Sequence, residues 1–317
     1  MAMKKWEEME ARLLGLELNQ LSSKELLDTF GTTDTAKLVL AVTKALKTSV
    51  GSTQSPLTLW IHESYGRNGI VTIGRNEYPD RVNLKGARQS NVPVFVRESG
   101  GWTIYNSGQS YVFVNVFAHS THNGFERFNG MRIGDAFKFN SEILIEALQS
   151  LTPPVFSELL KGDPSSINVD VDKDGDGRCI AMNAAHTPGR LIYLEGAVRY
   201  SRKSLDTASQ VLVLNAEERE DLFRYNAAVE EFSPGKKQLR EALIKAYTQT
   251  HPLGSYEWKQ TGLTESEIEL ARAFLPDIIS LTELSADQLK AIGSHPAKIC
   301  DVHWIMRKYG TYRPGTY

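Results

Sequence analysis

The spacing of apolar positions changes period several times along the chain, and each change marks an element. Residues 5–30 carry Leu13, Leu14, Leu16 and Leu18, followed by Ser22-Ser23-Lys24-Glu25. This predicts helix, with the Ser-x-x-Glu capping box opening a second, shorter one. Residues 34–47, with Leu38, Leu40, Val42 and Leu46, predict another helix. The polar turn Gly51-Ser52-Thr53-Gln54-Ser55-Pro56 ends that texture. Short β-branched and aromatic runs follow at 57–62, 69–73, 92–96, 102–105 and 111–117, separated by turns that carry Gly or Asn. Residues 135–149 predict a helix with Phe137, Ile143, Leu144 and Leu148 inward. Strands return at 166–171, 178–183 and 190–200. The pattern is helical again from 216, through 236–247 and 264–274, the last opened by a Thr264–Glu267 capping box. Helix, mixed sheet, helix, sheet and helices in that order predict an α+β fold, a mixed sheet flanked by helices.

Composition narrows the picture. The 317 residues allow one large or two ordinary domains, and 41% hydrophobic with 23% charged residues is globular composition. Lys and Arg number 36 against 38 Asp and Glu, a net charge of −2 that argues against an overall basic surface for gripping nucleic acid. Two cysteines, Cys179 and Cys300, make no disulfide framework and fit a reducing, cytoplasmic compartment. The apolar runs near 38–42 and 112–118 are far shorter than the roughly 20 residues of a membrane span. The opening MAMKKWEEMEAR lacks the apolar core of a secretory signal. The expected organisation is an N-terminal helical extension (1–33), a main domain (34–284) and a C-terminal aromatic tail (285–317).

Candidate chemistry concentrates in residues 92–117. A strand reaches Arg97, a small-residue turn follows at Ser99-Gly100-Gly101, and a hairpin continues through Thr103. Paired glycines let a backbone approach a ligand and aim N–H groups at an anion, and Arg97 adds a planar bidentate donor. A plain hairpin turn satisfies the same glycines. Asp172, Asp174 and Asp176 before Gly177 copy the opening of a calcium-binding EF-hand loop. Asn183 stands where that loop needs a bidentate carboxylate, and strands flank it. The reading is an acidic solvated turn, with calcium as the alternative. Seven histidines are scattered, without a paired zinc-ligand pattern.

Read in order, IVTIGRNEYP (70–79), the Arg97 and Gly100-Gly101 loop, GRCIAMNAA (177–185) and RLIYLEGAVRY (190–200) resemble the lipoate–protein ligase, octanoyltransferase and biotin ligase superfamily. The resemblance covers roughly residues 57–275. It implies a catalytic domain like that of class II tRNA synthetases. It further implies activation of lipoate or octanoate with ATP and Mg²⁺ to an acyl-adenylate, and transfer to a lysine of a lipoyl-domain acceptor protein. It places Arg75, Asn76, Arg97, Ser99, Gly100, Gly101 and Thr103 around the acyl-adenylate, with Cys179, Ala181 and Asn183 on the strand facing the reacting carbonyl.

The chain also departs from the family pattern. The lysine expected on the later strand is Cys179, and the Leu-His-Gly strand reads Leu194-Glu195-Gly196. A neutral thiol does not replace a cation at a developing negative charge. Three readings follow: Cys179 as the nucleophile of an acyltransferase, Lys173 or Arg178 supplying the charge from a shifted register, or a catalytically inactive binding or scaffold protein.

Overall fold

The computed structural model describes residues 11–50, 57–63, 65, 68–74, 79–97, 103–120, 133–151, 158–159, 166–170, 177–187, 190–232, 235–249 and 256–292. In chain order the elements are β1 (Ala11–Leu14), α1 (Ser23–Phe30), α2 (Thr35–Ser49), β2 (Leu57–His62), β3 (Ile70–Ile73), α3 (Leu84–Gln89), β4 (Val94–Val96), β5 (Ile104–Asn106), β6 (Tyr111–His119) and α4 (Ile133–Gln149). They continue with β7 (Glu158–Leu159), β8 (Ser166–Val169), β9 (Arg178–His186), β10 (Leu191–Arg199), α5 (Ser204–Val211), α6 (Ala216–Arg224), α7 (Lys236–Gln249), β11 (Trp258–Thr261), α8 (Glu265–Phe274) and α9 (Ala286–Ile292). Eight strands form a mixed sheet in the order β11-β1-β2-β6-β10-β9-β8-β7, and three form a small sheet, β4-β3-β5. The α+β expectation holds.

Period-two alternation sorts the large sheet into two faces. One buries Leu59, Val116, Leu194 and Ala185 against Ile143 and Leu144 of α4 and Leu239 and Leu243 of α7. Burial of each such aliphatic side chain stabilises by about 1.5–3 kcal/mol. Gly196 sits on this helical face because a Cβ there would meet Leu144 Cδ1 at 3.2 Å. The other face carries Trp60, Phe113, Phe117 and Tyr193, packed with Leu38, Val42 and Leu46 of α2 and Ala271 of α8. The small sheet has its own core, in which Val71, Ile73 and Val94 meet Ala87 of α3 and Ala208 and Val211 of α5.

The two capping boxes read from the sequence are present: Ser22 with Glu25 at α1, and Thr264 with Glu267 at α8. Asp34 caps α2 by accepting from the N–H groups of Ala36 and Lys37. Residues 11–14, expected in a helix, are instead β1, parallel to both β2 and β11. Four residues hold too little periodicity to separate helix from strand. The structure alternates them: Ala11 and Leu13 turn to one core, and Leu14 to the other. Arg12 reaches α8, where its Nη1 and Nη2 donate to the two Glu267 oxygens at 2.7 and 3.0 Å. The partner strand β11, Trp-Lys-Gln-Thr, was not anticipated, because a half-exposed polar edge strand has no apolar alternation to read.

Candidate functional site

Antiparallel register puts directly opposed residues on one face, so the face opposite α4 and α7 can be read in rows. Trp60, Asn115, Glu195 and Ala184 lie side by side across β2, β6, β10 and β9. The row on one side is Thr58, Phe117, Tyr193 and His186, and on the other His62, Phe113, Ala197 and Met182. Diagonal hydrogen bonds link the rows. Asn115 Nδ2 donates to His62 Nε2 at 2.8 Å, and the Tyr193 hydroxyl donates to Asn115 Oδ1 at 2.9 Å. With the amide donating, His62 Nε2 is an acceptor and the ring is neutral. Burial lowers its pKa to about 3, in accord with that assignment. Trp60 stacks on His62 with centroids 3.9 Å apart, and Lys47 sits 4.0 Å over the Tyr193 ring. Toward β9 the surface opens, and Glu195, Ala184 and Met182 are half-buried.

The small sheet presents a guanidinium to this region. The Arg97 N–H donates to Ile73 O at 3.0 Å, and Arg97 Nη1 donates to the Thr72 carbonyl and hydroxyl, both at 3.1 Å. Thr103 stands half-buried just before β5, which also pairs with β3, so both ends of the segment 98–102 are fastened to one strand. Buried Tyr65 lies near both charges. Burial raises its phenol pKa well above the ordinary range, the Glu195 carboxylate raises it further, and Arg97 opposes them. Tyr65 and Gly69 also line a polar cleft of about 700 Å³ beside the small sheet, together with Asp34, Asn68 and Arg88. The Arg88 guanidinium there is engaged by the Thr282 and Leu284 carbonyls.

Strand parity separates the residues assigned to β9. Ala181 packs in the core under α4, and Asn183 Nδ2 donates to Ser141 Oγ of α4 at 2.5 Å. They therefore turn to the helical face, while Met182 and Ala184 share the open face with Glu195. A bulge between Ile167 and Asn168 breaks the register before Cys179. Beyond it the Cys179 N–H donates to Tyr225 O at 2.7 Å, and its carbonyl accepts from Ala227 N at 2.9 Å and Arg199 Nη1 at 2.8 Å. Its half-buried thiol Sγ lies 3.5 Å from Ala181 O. Arg178, a candidate for the missing cation, is paired with Asp170 and Glu231. Arg75, Asn76, Ser99, Gly100, Gly101, Lys173, Asp172, Asp174, Asp176 and Cys300 lie outside the described residues. Among the described residues no three His, Cys, Asp or Glu side chains gather as a metal centre. No described helix is long and apolar enough to cross a membrane.

Sequence reasoning passed over Tyr65, Asn115 and His62, and noted Glu195 only as a departure from a motif. Nothing local marks them: strand register brings Asn115 and His62 near Glu195, and Tyr65 joins them from the segment after β2.

The sequence model of the lipoyl protein ligase A/B catalytic domain matches residues 35–224, more than half of the chain. The chain belongs to that family. No curated protein matches it in sequence. Among solved structures, this lipoyl ligase family member is similar to the bipartite lipoate protein ligase of Thermoplasma acidophilum, solved in a study of an archaeal lipoylation system with its E2 lipoyl domain. The TM-score is 0.67 at 18% identity, covering 98% of this chain and 100% of that one. A putative lipoate protein ligase from the same organism, with bound lipoic acid, gives 0.62 at 19% identity over 84% of this chain and 95% of that chain. Lipoate-protein ligase A bound with ATP gives 0.62 at 21%, also over 84% and 95%. At these identities the likeness speaks for the shared fold.

Proposed function

We propose that this chain transfers an acyl group of the lipoate or octanoate class to a lysine of a lipoyl-domain protein, after activating the acid with ATP to an acyl-adenylate. Family membership supports the reaction class, and the solved relatives hold lipoic acid or ATP or act with an E2 lipoyl domain. The observation that carries the reading is Arg97. Its guanidinium is fixed by Thr72, on the side of the site shared with Tyr65 and Glu195. A guanidinium held by a neighbouring strand is a preorganised partner for a carboxylate or phosphate oxygen. It takes the electrostatic part that a thiol at Cys179 leaves open. The thiol faces a backbone carbonyl, and we read it as a small half-buried strand residue rather than a nucleophile.

The neutral residue at Cys179 and the carboxylate at Glu195 favour a second reading, a ligase fold that binds its ligands without turnover. Isotope exchange between pyrophosphate and ATP, dependent on lipoate or octanoate, separates the two. Acid-dependent exchange that Arg97→Ala reduces at least about 100-fold supports adenylation. Exchange with neither acid leaves the binding reading.

A further inference from the structure

Two opposite charges border the Tyr65 phenol, Arg97 and Glu195, and the second has the wrong sign for an acid or a phosphate. Glu195 stands in the middle of the open row, with Asn115 and Ala184 as its cross-strand neighbours. Among the described residues its carboxylate makes no hydrogen bond and no ion pair, although it is half-buried. Neighbouring polar groups on this face are tied to one another: Asn115 holds both His62 and Tyr193. A half-buried carboxylate with no described partner is open to an incoming cation. Its sign repels an acid or a phosphate and attracts an ammonium.

We propose that Glu195 is the receptor for the acceptor's primary amine, holding it as an ammonium and taking its proton as the acyl group is transferred. This rests on the acyl-adenylate reading above. The surroundings of Tyr65 are thereby divided by charge, with Arg97 for the anionic acyl-phosphate and Glu195 for the cationic nucleophile. In the step, a lysine ammonium gives one proton to a Glu195 carboxylate oxygen. The freed lone pair attacks the acyl carbonyl carbon and a C–N bond forms. The acyl C–O bond to the phosphate breaks, and AMP leaves with its electron pair. The second proton on nitrogen passes to solvent, and Glu195 then releases its own.

The test uses the full chain with ATP, octanoate and two competing nucleophiles, an E2 lipoyl domain and hydroxylamine. Hydroxylamine is largely neutral near pH 7 and has no ammonium to dock. Glu195→Gln keeps the shape and removes the charge, with folding checked by its melting temperature. The ratio of lysine acylation to hydroxamate is expected to fall about 100-fold, and Glu195→Asp to recover part of it. An unchanged ratio overturns the proposal. Absence of hydroxamate from the unaltered chain overturns the adenylate reading instead. The amine site is then decided by a binding cycle that needs no turnover, pairing Glu195→Gln with a lipoyl domain whose acceptor lysine is changed to glutamine. About tenfold weaker binding on removing either charge, with no further loss on removing both, supports the site. Binding that ignores both changes, or no binding at all, overturns it.

Discussion

Arg12 and Glu267 form a buried bidentate ion pair, 2.7 and 3.0 Å between the guanidinium nitrogens and the two carboxylate oxygens, that ties the first strand to α8. Ser49 Oγ and the Thr264 N–H add two donors to the same carboxylate at 2.9 Å each. Removing one partner strands the other in the core. Glu267→Gln is expected to destabilise by about 3–5 kcal/mol, and Arg12→Met with Glu267→Leu to recover much of that loss. Chemical unfolding of the three proteins checks it. Burial pushes the Glu267 carboxyl up, but Arg12 and the other donors more than offset this, so it lies below its ordinary 4.5. The unfolded chain therefore protonates first as pH falls. The stabilisation is full above about 4.5 and is lost as pH drops through the lower folded value.

His62 has the opposite chemistry and the same pH sense. Its folded pKa of about 3 lies below the ordinary 6.5, so below pH 6.5 the unfolded state binds a proton that the folded state refuses. Stability should fall by about 1.4 kcal/mol per pH unit between those limits. His62→Gln should remove that slope, read as the difference between the two proteins in urea unfolding at pH 7 and pH 5. An unchanged slope would mean His62 is not the buried neutral acceptor of the Asn115 amide.

Gly69 stands immediately before β3. Its φ is +69°, and a Cβ there would lie 2.3 Å from the Asn106 carbonyl oxygen, on the strand paired with Ile70. Gly69→Ala should cost at least about 2 kcal/mol and loosen the small sheet that carries Arg97. A melting temperature within a degree of the parent would contradict this.

Cys179 gives a test by replacement. If its thiol is a small strand residue, Cys179→Ala keeps acyl transfer within about threefold, whereas loss of a nucleophile costs orders of magnitude. Cys179→Lys should raise the rate of adenylate formation, because it returns a cation to the position where the family pattern has one. Single-turnover kinetics of both variants report each effect.

Much of the fold was legible because its elements carry strong periods. The α2 helix shows its N-cap in Asp34, and β6 and β10 show apolar and aromatic runs interrupted only at Asn115 and at Glu195-Gly196 before their terminal His119 and Arg199. Strands β1 and β11 were not, since Ala-Arg-Leu-Leu and Trp-Lys-Gln-Thr become strands by pairing across the sheet, β11 with β1 and β1 with both β11 and β2. At the site, motif order located β9 and Arg97. It did not show which side of β9 lies on the open face with Glu195, because parity depends on register with β8 and β10 and on the bulge before Cys179. Glu195 was visible as a letter out of place, while its meeting with Tyr65 and Asn115 is a product of tertiary pairing.

Acyl transfer is measured most directly by the intact mass of an E2 lipoyl domain after incubation with the full chain, ATP and lipoate or octanoate. One acyl group should be added to the acceptor lysine, only with ATP present, and Arg97→Ala should slow the transfer at least about 100-fold. An unmodified acceptor with both acids, from a protein shown to be folded, would contradict the account.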